Sequence, residues 1–206
     1  MMLRPIACSL ALAAAVASCR QTPPTTFYTL SPIADVQARA GAPAENEVAI
    51  GLGEIVVPDY VDRPQVVVRT GQNTMELAEL NSWVEPVRAQ ITRTIALDLS
   101  YLLDTRNVFA LPSRLPLRLD YIVEVQVGRF DSDAAGRSVL DARWILYDRT
   151  GERRLDTGIV TAVEEAAQPL SYDTRIAAMS ETVHQLSRAI AQSIAQRRGG
   201  SVRPRA

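Results

Sequence analysis

The side chains able to do chemistry in this 206-residue chain are few: one His, two Cys and, among 22 basic residues, no Lys. The absence of Lys excludes Schiff-base chemistry and a P-loop lysine. His184 has Ser180, Glu181 and Ser187 as its i−4, i−3 and i+3 neighbours. It adjoins Val183 of an apolar helical stripe, so it is expected to be a satisfied or exposed helix-edge residue and not a general base. No G-x-S-x-G elbow accompanies it. Gly51-Leu52-Gly53 begins like a dinucleotide loop, but position 56 is Val and a strand follows, so the glycines are read as a bulge or a close strand approach. The acid pairs Asp59/Asp62, Asp131/Asp133 and Glu164/Glu165 flank strand ends, where acids are ordinary turn formers. Asp131-Ser132-Asp133 lacks the later Gly and Glu of an EF-hand loop. One His and two Cys are too few for a Cys/His zinc site. No cofactor and no metal are expected. A net charge of −1 argues against a dedicated nucleic-acid binder, which usually carries a basic face.

The remaining reactive residue is Cys19. Arg4 supplies a positive start, Ile6 to Ala17 an apolar stretch too short to span a bilayer, and Val16-Ala17-Ser18-Cys19 matches a bacterial lipobox. Residues 1–18 are therefore expected to be a lipoprotein signal peptide and Cys19 the lipidated residue, with residues 19–26 as the tether. Cys8 would leave with the signal, so no disulfide is expected. Position 20 is Arg and not the Asp that retains lipoproteins at the inner membrane. This favours the inner leaflet of the outer membrane, facing the periplasm. Arg20 to Thr26, with Pro23-Pro24 favouring polyproline II, reaches about 20–25 Å and would hold the domain close to the bilayer.

The elements that position these residues follow from periodicity. Phe27–Leu30, Glu47–Val57 and Gln65–Thr70 are predicted strands, with a return over Thr74–Leu80. Ser82, with Glu85 three residues on, reads as the N-cap of a helix ending near Asp104; Val84, Val87, Ile91, Ile95, Leu99 and Leu102 form its stripe. Asn107–Leu111 is a short strand. Leu117 to Val127 alternates with period two, and Leu140–Leu146 and Leu155–Val163 follow at hairpin distance, giving an antiparallel meander. Ser171–Arg197 is a long helix with Ile176, Met179, Val183, Leu186, Ile190 and Ile194 on one face, ended by Gly199-Gly200. The sum is one α+β domain over residues 27–198: two layers, an antiparallel-rich sheet with two long helices side by side on one face. Residues 199–206 are read as a basic disordered tail. Its arginines suit a helix C-terminus, and contact with anionic head groups is the less favoured reading.

Residues 48–103 carry a resemblance. Ala49-Ile50-Gly51-Leu52-Gly53 leads through Pro58-Asp59-Tyr60-Val61-Asp62-Arg63-Pro64-Gln65 to an apolar strand ending in Arg69, and then to Trp83 at a predicted helix start. This pattern, with Phe27-Tyr28-Thr29-Leu30 after a lipidated Cys, resembles the ABC-type transport auxiliary lipoprotein family, the PqiC-like subunits of membrane-integrity transporters. Val61 stands where the family commonly has Leu, and Ser82 where larger residues are usual. The resemblance implies a subunit without catalysis that docks a periplasmic MCE-domain (PqiB-like) protein of an intermembrane lipid transport system. A homo-oligomer is expected. A lipid carrier or an outer-membrane assembly factor, with a lipid ligand in the domain, is the alternative. The expected partner surface is the turn with Asp59, Tyr60, Asp62 and Arg63, together with Trp83; Tyr60 and Trp83 equally suit a place in the core.

Overall fold

The computed structural model describes residues 23–34, 47–114 and 118–199. The signal-like segment, Cys19, most of the Ala34–Asn46 loop, Leu117 and the tail from Gly200 lie outside these. The strands are β1 (Thr26–Tyr28), β2 (Ile50–Val56), β3 (Gln65–Arg69), β4 (Met75–Trp83), β5 (Val108–Ala110), β6 (Tyr121–Asp133), β7 (Arg137–Asp148) and β8 (Arg154–Glu165). The helices are α1 (Val87–Leu102) and α2 (Tyr172–Arg198).

Strand β6 is the spine of one eight-stranded sheet. Along one edge it pairs antiparallel with β7 from Tyr121 to Ser132, and β7 pairs antiparallel with β8, which is the expected meander. Its other edge is divided. Tyr121–Gln126 pairs in parallel with β2, and Ser132–Asp133 in parallel with β3. β5 extends the sheet beyond β2, while β4 and then β1 extend it beyond β3. The register of β6 against β7 shifts between Val127 and Arg129. Such a bulge bends a strand and strengthens its twist, and it separates the halves that take the two partners. It also resets the alternation, so Val123, Val125, Val127 and then Phe130 face the core.

Both helices cover this face, joining one core with Ile50, Leu52, Val66, Leu140 and Leu146. The whole stripe expected on α2 is buried. A capping box of Ser171 and Thr174 starts that helix, and Gly199, in the left-handed region at φ 67°, stops it. Gly51 answers the question posed by the glycine pair. A Cβ there would lie 2.7 Å from Leu119 Cδ1 and 2.8 Å from Leu111 Cδ1. The β2–β6 register also shifts between Leu52 and Ile55, across Gly53. Close approach and bulge are both present.

The start of α1 differs from expectation. Ser82 is no N-cap: it lies in β4, opposite Phe27 of β1 and Gln65 of β3. Pro86 holds the N-cap position without a side-chain cap. Val84 leaves the helical stripe and is 59% exposed. Pairing on both sides of residues 81–83 outweighs the local capping pattern.

Candidate functional site

The Pro58–Gln65 turn is closed by its own backbone. The Val61 and Asp62 amides donate to the Pro58 carbonyl at 3.1 and 3.4 Å, and the Arg63 amide donates to the Val61 carbonyl at 2.8 Å. Val61 is buried beneath it. The Trp83 amide donates to the Pro64 carbonyl at 2.7 Å, fastening the turn to the end of β4.

Tyr60 is half-buried, and its hydroxyl donates to Asp131 Oδ2 at 2.9 Å while accepting the Phe130 amide at 3.3 Å. Asp131, 1% exposed, also takes Arg69 Nη2 at 2.9 Å on Oδ2 and Arg129 Nη2 at 2.8 Å on Oδ1. Burial pushes the Asp131 carboxyl up, but the hydrogen bonds from Arg69, Arg129 and Tyr60 outweigh it and hold it below the usual carboxylate range. Burial pushes the Tyr60 phenol up to about 12, with the Asp131 charge adding to it against the Phe130 amide. Two guanidiniums and a phenol thus clamp one carboxylate, and they tie the turn to β3 and β6. Asp131 is committed to this clamp.

The five residues expected at the partner surface therefore separate. Asp59 and Arg63 are exposed on the turn. Asp62 pairs with Arg88 of α1 at 2.5 Å. Tyr60 is engaged inward, and Trp83, 5% exposed, belongs to the core. Trp83 supports the turn from below and presents no contact surface. Sequence reading missed Asp131 and Arg129 as partners of Tyr60 and Arg69. The available signal was Arg129-x-Asp131 on a strand, two residues apart and so on one face.

His184 has a definite place. It is 7% exposed; its Nδ1 lies 3.0 Å from Glu181 Oε2 and its Nε2 lies 2.7 Å from the Ser31 carbonyl. Around it, the two helices hold residues 29–33 as an extended strap. The Leu30 amide donates to Gln90 Oε1 at 2.8 Å, the Ser31 amide to Ser180 Oγ at 3.1 Å, and the Ile33 amide to Asp98 Oδ1 at 2.8 Å. Asp98 is fully buried, and that burial holds its carboxyl above the ordinary range against the His184 charge and the Ile33 amide. The polar residues on the facing sides of α1 and α2 bind the chain's own N-terminal segment.

The chain belongs to the ABC-type transport auxiliary lipoprotein component family, whose profile matches residues 28–191. Two solved structures share the fold. One is a crystal structure of an uncharacterized protein, with TM-score 0.67 and 20% identity, covering 84% of this chain and 99% of that one. The other is protein XCC0632 from Xanthomonas campestris, with TM-score 0.66 and 15% identity, covering 85% and 98%. No curated relative matches the chain.

Proposed function

We propose that this chain is a lipid-anchored docking subunit of an MCE-type intermembrane lipid transport system, held through Cys19 at the inner leaflet of the outer membrane and facing the periplasm. The observation that carries the reading is the family match from Tyr28 to Ala191, which takes in nearly all of the described domain and begins just after the lipobox and tether. The subunit acts by binding, not catalysis, with its one histidine committed to the strap and its most engaged carboxylate to the arginine clamp. Asp59 and Arg63, raised on a turn fixed by Tyr60, Asp62 and Trp83, are the partner contacts. Arg is a residue type favoured at interface hot spots, and the rigid turn lowers the ordering cost of association. The subunit works as a homo-oligomer. Edge strand β8 carries Ile159 at 70% and Val163 at 38% exposure, and no described strand lies beyond it.

Affinity purification from membranes tests the docking role: the wild-type chain should retain an MCE-domain protein, and its failure to do so rejects docking. The doubly substituted Asp59→Ala/Arg63→Ala chain should lose capture with unchanged thermal unfolding; undiminished capture moves the interface elsewhere. Labelled palmitate should enter the wild-type chain and not Cys19→Ser, and equal labelling removes the anchor.

A further inference from the structure

Among the described residues, one buried arginine forms no ion pair. Arg175, in the first turns of α2, is 6% exposed. Its Nη1 donates to Ser132 Oγ at 2.7 Å and to the Asp133 carbonyl. Its Nε has no hydrogen-bond partner, and no carboxylate among the described residues forms an ion pair with it. The Tyr172 ring covers the guanidinium at 5.8 Å. The Asp133 carboxylate acts on Arg175 through space, while its Oδ1 accepts the Ala135 and Arg137 amides at 2.9 Å each. Burial accordingly pulls the Arg175 guanidinium below its ordinary value. A buried charge without a contact ion pair is costly and is normally paired.

Arg175 lines a cavity of about 370 Å³ whose apolar wall is Val68, Leu77, Ala78, Ala134 and Leu170. Ser171 and Tyr172 bring the N-terminus of the 27-residue α2 to the same cavity, where the positive end of the helix dipole favours an anion. The capping box uses the Thr174 amide, and Asp173 in the first turn is exposed. Leu77 and Leu170, 48% and 36% exposed, stand at the rim. Glu76 also lines the cavity and is exposed. The cavity size lies at the lower end of the range for small-molecule sites.

We infer that this cavity binds the head of an acidic amphiphile, a carboxylate or phosphate carried on a hydrocarbon chain, with the anion at Arg175 and the α2 N-terminus and the chain against Leu77 and Leu170. A carboxylate and a phosphate meet the same cation and the same helix end. The hydrocarbon has a wall that a free inorganic ion does not use. This site does not include Asp59 or Arg63, so it is separate from the proposed docking turn.

Calorimetric titration of the full-length Cys19→Ser chain, which carries no acyl group of its own, tests the assignment with soluble probes. Octanoate or octyl phosphate should bind at least tenfold more tightly than octanol, and octyl phosphate at least tenfold more tightly than inorganic phosphate. Which of the two anions binds more tightly distinguishes a fatty-acid from a phospholipid source. Arg175→Met should lose at least tenfold in affinity. Leu77→Ser, at an exposed rim position that leaves the fold intact, should lose severalfold. Glu76→Gln should bind more tightly, since it removes a like charge from the cavity. Octanol binding as well as octanoate, inorganic phosphate binding as well as octyl phosphate, or unchanged affinity in Leu77→Ser would overturn the proposal.

Discussion

Asp131 gathers three donors from separate parts of the chain: the Tyr60 hydroxyl, the Arg69 guanidinium and the Arg129 guanidinium. Tyr60 lies in the Pro58–Gln65 turn and Arg69 ends β3; both belong to the recognisable pattern, yet neither has a visible partner within it. Their partner lies more than sixty positions on, in the second half of β6. Short-range spacing carries no information about such a contact, and the acid was legible only as a strand-end residue. The clamp predicts a measurable pH dependence. The folded Asp131 carboxyl titrates below its unfolded value of about 3.9. The unfolded chain therefore binds more protons between the two values. The stabilisation is complete above the unfolded value and is lost as pH falls through the folded one. Asp131→Asn should lower stability at pH 7 by roughly 2 kcal/mol, less than the loss for a fully buried pair because both guanidiniums are partly hydrated. Its stability should also fall less steeply on acidification. Urea unfolding of both chains at pH 7 and pH 3 measures this, and parallel acid limbs would show that Asp131 is not the group responsible.

Among the elements, those with a strong local period were readable and those built by distant pairing were not. The meander β6–β7–β8 and the stripe of α2 follow from alternation and from 3.6-residue spacing, each contained in its own segment. The start of α1 departs from its local pattern because Ser82 and Glu85 match only the spacing of a capping box, while the pairing of Ser82 with Phe27 and Gln65 depends on strands far away in the chain. The polar stripe shared by the two helices also had no legible meaning. Gln90, Asp98, Ser180 and His184 look like interruptions of apolar faces until the strap is laid between them. That arrangement separates two substitutions at one position. Asp98→Asn keeps an acceptor for the Ile33 amide and removes a charge that burial disfavours, so stability at pH 7 should change by less than about 1 kcal/mol. Asp98→Ala leaves the buried amide without an acceptor and should cost about 1–3 kcal/mol. Denaturant midpoints of the pair, with hydrogen exchange at Ile33, check both; equal losses would mean that the strap contact is not the reason.

The class of fold is legible in the sequence, but the division of β6 is not. Parallel pairing of its first half with β2 and of its end with β3 requires the bulge after Val127, and nothing in the periodicity before it announces a change of partner. The division gives the sheet a graded strength. β6 and β7 are paired on both sides over most of their length, whereas β1 and β5 are three-residue strands at the margins. Local opening is cheapest where few contacts hold the backbone. Amide exchange should therefore be slowest in Val123–Val127 and Leu140–Leu146 and fastest in β1 and β5; uniform protection across the sheet would contradict this. β1 has a mechanical meaning as well. It runs parallel to β4, so a pull on the chain ahead of Pro23 drags it lengthwise and loads the Thr26, Phe27 and Tyr28 pairings in shear, all together instead of one by one. The strap at residues 29–33 lies downstream and takes up load only after β1 has slipped. Tension arriving from a membrane would thus meet two stops in series before it reaches the core.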